Sequence, residues 1–275
     1  MVEGYVAGSH RSPSHGFSIE FAEHREYSPG DDLRYVDWKV FGRTDKFYLK
    51  QFEDETNLIC MLVLDVSESM LYRGPESPWS KLDCAATAAA SLAWLTLQQQ
   101  DAVGLTTFDE QLRDFVQPSS NSSHLQHLLH ILDSPSGARK TSTGRVLHEL
   151  ADRLGRRGIV VIFSDLFDDL EELVMGIKHL RHRRHDVVVM HTLDAAEVDF
   201  PFSHPTLFRG MEEMPDLNTD PRALRGAYLK HFGDFLRRIR TDCENLQVDY
   251  AQLRNDQPLD VALSTFLAQR MARIS

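Results

Sequence analysis

Leu58-Ile59-Cys60-Met61-Leu62-Val63-Leu64, followed at once by Asp65-Val66-Ser67-Glu68-Ser69, is the stretch on which the fold turns. Seven apolar residues in unbroken succession read as a strand covered on both faces, as in a parallel sheet. An acid stands at its C-terminal end, where ligand sites gather in doubly wound sheets.

The pattern repeats outward from there. Gly158 to Ser164 is a second buried strand ending in an acid, Asp165, and Asp186 to Leu193 is a third. The Ala- and Leu-rich segment Lys81 to Leu97 predicts a helix that packs closely on the sheet, and Leu71 to Trp79 before it carries the Gly and Pro of a surface loop. Asp101 to Phe108 and Leu112 to Val116, joined by a tight turn at Asp109 and Glu110, predict an antiparallel pair. Further helices are expected over Ser122 to Leu132, Gly144 to Leu154 and Leu170 to Arg183. Residues 194–221 read as a long excursion with an extended piece around Thr206 to Arg209. A helix from Ala223 to Asn245, a last strand from Val248 to Leu253 and a closing helix from Leu259 to Arg273 follow. This alternation predicts an α/β fold, a doubly wound, mostly parallel sheet with one antiparallel edge strand.

Residues 1–57 differ in texture, being polar and rich in Gly, His and aromatic residues, and are read as an N-terminal extension to the 58–275 domain. With Lys plus Arg at 30 against Asp plus Glu at 41, the net charge of −11 disfavours nonspecific binding to nucleic acid or anionic membrane. Cys60, Cys84 and Cys243 are odd in number and lack Cys-x-x-Cys spacing, so they are expected to be reduced and structural. There is no secretory h-region and no run near the ~20 apolar residues of a membrane span. A cytoplasmic protein is expected.

In Asp65-Val66-Ser67-Glu68-Ser69, three short oxygen-bearing side chains alternate straight after a buried strand, where a turn can aim them at one point. Carboxylate and hydroxyl oxygens suit Mg²⁺ or Mn²⁺. The same residue types also favour a helix N-cap, so the motif alone leaves both readings open. Three ligands from one loop do not close a site, and two distal segments are placed to add to it. These are Lys140-Thr141-Ser142-Thr143-Gly144, ahead of a helix, and Phe163-Ser164-Asp165, at a strand end.

With these residues in view, the chain resembles the von Willebrand factor A superfamily, whose metal-ion-dependent adhesion site (MIDAS) combines Asp-x-Ser-x-Ser with a Thr and a distal Asp. The counterparts are Asp65, Ser67, Ser69, Thr141 and Asp165. Ser142 and Thr143 compete with Thr141, and the resemblance of Thr141-Ser142-Thr143-Gly144-Arg145-Val146-Leu147 to Thr-x-x-Gly-x-x-Leu selects the first. The resemblance implies an open coordination position that takes a carboxylate from a partner protein.

Arg25-Glu26-Tyr27-Ser28-Pro29-Gly30-Asp31-Asp32-Leu33-Arg34-Tyr35-Val36-Asp37-Trp38 further resembles the Arg-x-Tyr-x-x-Gly-Asp-x-x-Arg-x-Ile-x-Trp signature of the domain-of-unknown-function 58 family, with Val36 replacing Ile. That resemblance implies pairing with a MoxR-type AAA+ ATPase in the assembly or maturation of other proteins, in bacteria or archaea. Many members carry membrane helices ahead of the signature, and this chain, starting almost at it, reads as a short form. Pro29 to Asp32 is a turn with an acid available to cap a helix. Arg25, Asp31, Arg34, Asp37 and Trp38 are read as a clasp in preference to a binding surface.

The cluster His179, Arg181, His182, Arg183, Arg184 and His185 reads as a solvated helix end, and His124, His127 and His130 as an exposed ridge, rather than as zinc sites. An enzyme is the competing class. A Ser67 or Ser69 nucleophile lacks a Gly-x-Ser-x-Gly elbow, a dehalogenase-like phosphatase lacks the second acid of Asp-x-Asp and no phosphate-binding Gly-rich loop is present, which leaves a metal-dependent hydrolase using the same Asp, Ser and Thr residues as the alternative. The sequence therefore predicts a nonenzymatic, Mg²⁺-dependent protein-interaction module.

Overall fold

The computed structural model of the protein describes residues 19–27, 36–44, 46–54, 58–134, 141–212 and 214–274. The chain divides into two compact units, residues 1–57 and 58–275.

In the first unit, β1 (Ile19–Glu26), α1 (Trp38–Thr44) and β2 (Tyr48–Asp54) follow in order. The two strands pair antiparallel, with an irregularity between Phe21 and Glu23. Asp37 starts α1 because its Oδ1 accepts the backbone N–H of Lys39 at 2.9 Å and of Val40 at 3.2 Å. Asp31 and Arg34 lie outside the described residues, as does the side chain of Arg25. Phe41 stacks on Phe47 at 4.4 Å between ring centroids, and Trp38 is 61% exposed.

The second unit begins with β3 (Ile59–Asp65), α2 (Lys81–Gln98), β4 (Ala102–Phe108), β5 (Leu112–Ser119), α3 (His124–Asp133) and α4 (Thr143–Arg153). It continues with β6 (Ile159–Ser164), α5 (Leu170–His182), β7 (Asp186–Leu193), α6 (Ala195–Asp199), β8 (Thr206–Phe208) and β9 (Leu217–Thr219). It closes with α7 (Pro221–Asn245), β10 (Asp249–Arg254) and α8 (Leu259–Ile274). The main sheet runs β10-β7-β6-β3-β4-β5. All neighbours are parallel except β4 and β5, whose short connection permits only an antiparallel return.

The continuous apolar runs have the predicted cause. In β3, Cys60, Leu62 and Leu64 pack with Leu82, Ala85, Ala88 and Ala89 of α2, while Met61 and Val63 pack with Val146, Leu147 and Leu150 of α4 and Leu173 and Ile177 of α5. Each side chain faces a helical layer, so each contributes about 1.5–3 kcal/mol of burial. The sheet's central strands are thereby held rigid under the loops at their C-terminal ends.

Two glycines bring α4 and α5 together. A Cβ on Gly144 would lie 2.5 Å from the carbonyl carbon of Glu172, and one on Gly176 would lie 2.7 Å from the Gly144 oxygen. That close approach fixes the first turn of α4, which starts two residues after Thr141.

Two expectations need correction. The basic end of α5 is not simply solvated. Arg181 donates to the carbonyls of Leu246 and His185, Arg183 donates to that of Ala151, and His185 is buried. Arg181 and Arg183 thus fasten α5 to the segments after α7 and in α4, while His182, Arg183 and Arg184 remain exposed, as expected of a solvated end. The excursion at 194–221 holds the expected extended piece as β8 and is otherwise more structured than expected, because Asp194 and Glu197 form a capping box that starts α6, and β9 pairs with β8. The ridge on α3 is partly engaged, since the His124 ring bonds the Val103 carbonyl, whereas His127 and His130 are exposed. All three cysteines are buried and free.

Candidate functional site

Asp65 ends β3 with no solvent exposure. Its Oδ1 accepts the Ser67 N–H at 2.9 Å, and its Oδ2 accepts the Ser164 hydroxyl at 2.6 Å from the end of the adjacent strand β6. The Thr141 hydroxyl lies 3.3 and 3.4 Å from the two carboxylate oxygens, and Ser67 Oγ lies 3.1 Å from Ser69 Oγ. A short 3-10 turn, Ser69–Leu71, follows, with no side-chain cap. The serines therefore face each other instead of serving as helix caps.

These spacings carry chemical information. At 3.3–3.4 Å a hydroxyl–carboxylate contact is a poor hydrogen bond. Neighbouring ligands of an octahedral Mg²⁺, each ~2.1 Å from the ion, stand about 3 Å apart. Asp65, Ser67, Ser69 and Thr141 thus suit a small hard cation in donor type, and the Asp65–Thr141 and Ser67–Ser69 separations are of the order such ligands show. Among the described residues no three His, Cys, Asp and Glu side chains converge as a metal-binding group, so the donors here are chiefly hydroxyls.

The choice among the threonine-loop residues follows from geometry. Thr141 turns its hydroxyl to Asp65, and the Ser142 N–H donates to the Asp109 carbonyl at 3.2 Å. The Thr143 hydroxyl is buried with no hydrogen-bond partner among the described residues. Asp109 is itself gripped by Arg113 through two bonds of 2.8 and 2.7 Å, which steadies this loop.

Asp165 ends β6 and is also fully buried, but its surroundings differ. Its Oδ2 accepts from Lys81 Nζ at 2.7 Å, and the same ammonium donates to Glu197 Oε1 at 2.6 Å and lies 5.0 Å over the Phe167 ring. Lys81 is the first residue of α2, whose Ser80–Asp83 capping box aims it under the sheet end. Burial opposes the ammonium, but the charges of Asp165 and Glu197 and its bonds to both outweigh that and hold its pKa above the ordinary lysine range. Among the described residues no cation is bonded to Asp65, and burial first, then the charge of Asp165, push its pKa up to about 7.

The backing of the site is equally fixed. Leu166 adopts φ 58°, a left-handed conformation that costs a side-chain-bearing residue of order 1–3 kcal/mol, and its N–H bonds Ser164 Oγ at 3.0 Å. His191 Nε2 meets the Asp165 carbonyl at 2.8 Å and its Nδ1 meets the Tyr250 hydroxyl at 2.8 Å. Burial lowers its pKa to about 4, so the ring is neutral, Nε2 carries the proton and Nδ1 accepts. Asp194, at the end of β7, accepts from the Gly74 N–H and from Asn255 Nδ2, and Asn255 also bonds the Trp79 carbonyl. The 72–79 loop is thereby tied beside the motif.

Glu212 enters from the 194–221 excursion, with Oε1 3.4 Å from the Ser69 nitrogen and Oε2 3.2 Å from the Thr141 nitrogen. Ser164, Lys81, Glu197 and Glu212 were not picked out in the sequence. The Asp194–Glu197 capping box was the one local signal that bore on any of them.

The fold and site define a doubly wound α/β domain of Rossmann-like character, consistent with the von Willebrand factor A arrangement, with an oxygen-rich cluster at the C-terminal edge of its sheet. The family model described as "Protein of unknown function DUF58" matches residues 23–234, and the chain belongs to that family. Uncharacterized proteins of Mycobacterium tuberculosis and Mycobacterium bovis are each 26% identical over 281 residues, covering 98% of this chain and 85% of theirs. Among solved structures, an aerotolerance-related membrane protein from Bacteroides fragilis is similar over 77% of this chain and 99% of its own, with a TM-score of 0.50 and 17% identity. The pilus adhesin SpaC from Lactobacillus rhamnosus GG is similar over 81% of this chain and 31% of its own, at TM-score 0.50 and 12% identity. At those identities the likeness concerns the fold. Among the described residues no helix is long and apolar enough to cross a membrane.

Proposed function

We propose that the chain is a nonenzymatic, divalent-metal-dependent protein-interaction module. Asp65, Ser67, Ser69 and Thr141 would hold Mg²⁺ or Mn²⁺, with Asp165 behind them. The ion, when bound, supplies a Lewis-acid seat for a carboxylate of a partner protein. The observation that carries this reading is the donor set around Asp65. A fully buried carboxylate is met by the Ser164 hydroxyl at 2.6 Å, the Ser67 N–H at 2.9 Å and the Thr141 hydroxyl at 3.3 Å, while the nearby ammonium of Lys81 is spent on Asp165 and Glu197. A divalent ion would discharge the buried acid that the chain itself leaves without a cation.

The MoxR-type AAA+ ATPase partner and the cytoplasmic setting come into this proposal from the family resemblance. A hydrolase would need a base at Ser67 or Ser69. Those hydroxyls face each other, and the buried imidazole at this end of the sheet, His191, is bonded to the Asp165 carbonyl and the Tyr250 hydroxyl.

The test is titration calorimetry of Mg²⁺ into chelator-treated protein, with capture of a co-expressed MoxR-type ATPase as the second readout. Wild type is expected to bind a metal ion and Asp65→Ala to bind none, with capture lost in chelator. Capture that survives both chelator and Asp65→Ala would sink the metal-bridge reading.

A further inference from the structure

Glu212 sits in the turn between β8 and β9, and its carboxylate spans the two loops of the metal site. One oxygen takes the N–H of Ser69 and the other the N–H of Thr141, residues 143 and 71 positions away. The backbone is shaped to deliver it. Glu212 has φ 52°, its own N–H donates to Glu68 Oε2 at 2.8 Å, and the turn is braced by the Gly210 N–H on Asp216 Oδ1 at 2.9 Å.

The electrostatics of this arrangement are incomplete as the chain stands. The donors at 3.4 and 3.2 Å are neutral backbone groups, and Glu68, whose Oε2 accepts the Glu212 N–H, has the same charge sign as Glu212. Two long N–H contacts are weak compensation for gathering carboxylates. Hydroxyls and carboxylates gathered in this way suit a divalent ion.

We propose that Glu212 is the chain's own carboxylate for this site. The β8–β9 hairpin presents it against Ser69 and Thr141, in the place a partner's carboxylate would take, so hairpin and partner exclude one another. The proposal rests on the metal-site reading above. It makes partner capture depend on release of the hairpin, and removal of the Glu212 carboxylate should open the site without touching its first four donors.

Mn²⁺ serves as the probe, read by water-proton relaxation, with acetate as a minimal competing carboxylate. Wild type should bind Mn²⁺ with few exchangeable waters and ignore acetate. Glu212→Ala should raise the relaxation enhancement roughly 1.5-fold, as expected when one of the several waters such an ion keeps is regained, and acetate should reverse the gain. The isosteric Glu212→Gln should shift in the same direction and covers the case in which the alanine variant fails to fold. Equal relaxation and equal acetate response in wild type and variants would overturn the proposal while leaving the metal site standing. Absence of Mn²⁺ binding in folded wild type, or binding that survives Asp65→Ala, would overturn the metal-site reading and this inference with it.

Discussion

Asp65 and Asp165 stand at the ends of neighbouring parallel strands, β3 and β6, and neither has solvent exposure. Asp165 receives an ammonium, from Lys81, together with the N–H of Phe167. Asp65 receives hydroxyls from Ser164 and Thr141 and the N–H of Ser67. One buried acid is closed by a permanent cation from its own chain, and the other is surrounded by groups that stabilise charge without cancelling it. The contrast separates a buried ion pair from a buried acid met by hydroxyls and an N–H, which is the side on which the metal proposal rests. It follows from which helix starts beside each strand end, because α2 begins with a lysine and the α4 segment begins with a threonine.

The contrast can be broken most severely at Lys81. Lys81→Met leaves Asp165 and Glu197 buried against an apolar chain, and removing one partner of a buried pair costs about 3–5 kcal/mol. A fall of that size in urea-unfolding free energy is expected, with Mg²⁺ in the buffer recovering only part of it. A loss under ~1 kcal/mol would show that Asp165 is not closed by this lysine.

Asp65→Ala removes the other side of the comparison. Wild type should gain about 2.7 kcal/mol of stability at a Mg²⁺ concentration a hundredfold above its dissociation constant, and the variant should gain none. Thermal unfolding with and without chelator measures the difference.

His191 supports the Asp165 side and gives it a pH dependence. Its pKa is depressed in the folded protein, to about 4 from 6.5, so the neutral ring contributes stability that is complete above pH 6.5 and is lost as pH falls toward 4. Between pH 7.5 and pH 5 that contribution should fall by about 2 kcal/mol. Urea midpoints at the two pH values should diverge less in His191→Gln than in wild type, and parallel behaviour would refute the assignment.

The smallest effect lies next to the site. Thr143→Val removes a buried hydroxyl that has no hydrogen-bond partner among the described residues, so stability should change by less than about 1 kcal/mol and Mg²⁺ affinity should hold. Thr141→Val, two residues away, should weaken Mg²⁺ binding in the same calorimetric assay. A reversed pair of results would exchange the roles of the two threonines.

Much of the frame was legible beforehand because a strand buried on both faces tends to carry a continuous apolar run, as Leu58–Leu64, Ile159–Phe163 and Val187–Met190 do. The antiparallel β4–β5 pair was legible because a connection of a few residues admits no crossover. The strand β9 was not, since Leu217-Asn218-Thr219 is too short to carry a period. At the basic end of α5, the exposure of His182, Arg183 and Arg184 was legible but the burial of His185 and the bonds of Arg181 and Arg183 were not, because Arg and His look alike in sequence whether their donors meet water or a carbonyl. Asp65, Ser67 and Ser69 could be found together because their donors are contiguous, whereas Thr141 was separated from Ser142 and Thr143 only by family resemblance until the fold turned its hydroxyl to Asp65.

The sequence by itself determined the alternation of strands and helices, the acids at two strand ends and the oxygen-rich turn after the first of them. These are local consequences of burial and of donors spaced within five residues. Only the tertiary structure decided the electrostatics. Lys81 reaches Asp165 across 84 positions, Ser164 reaches Asp65 across 99, and Glu212 reaches Ser69 across 143. Charge compensation acts through space, and a chain's order does not state which lysine will stand beside which aspartate until the sheet has brought their ends together.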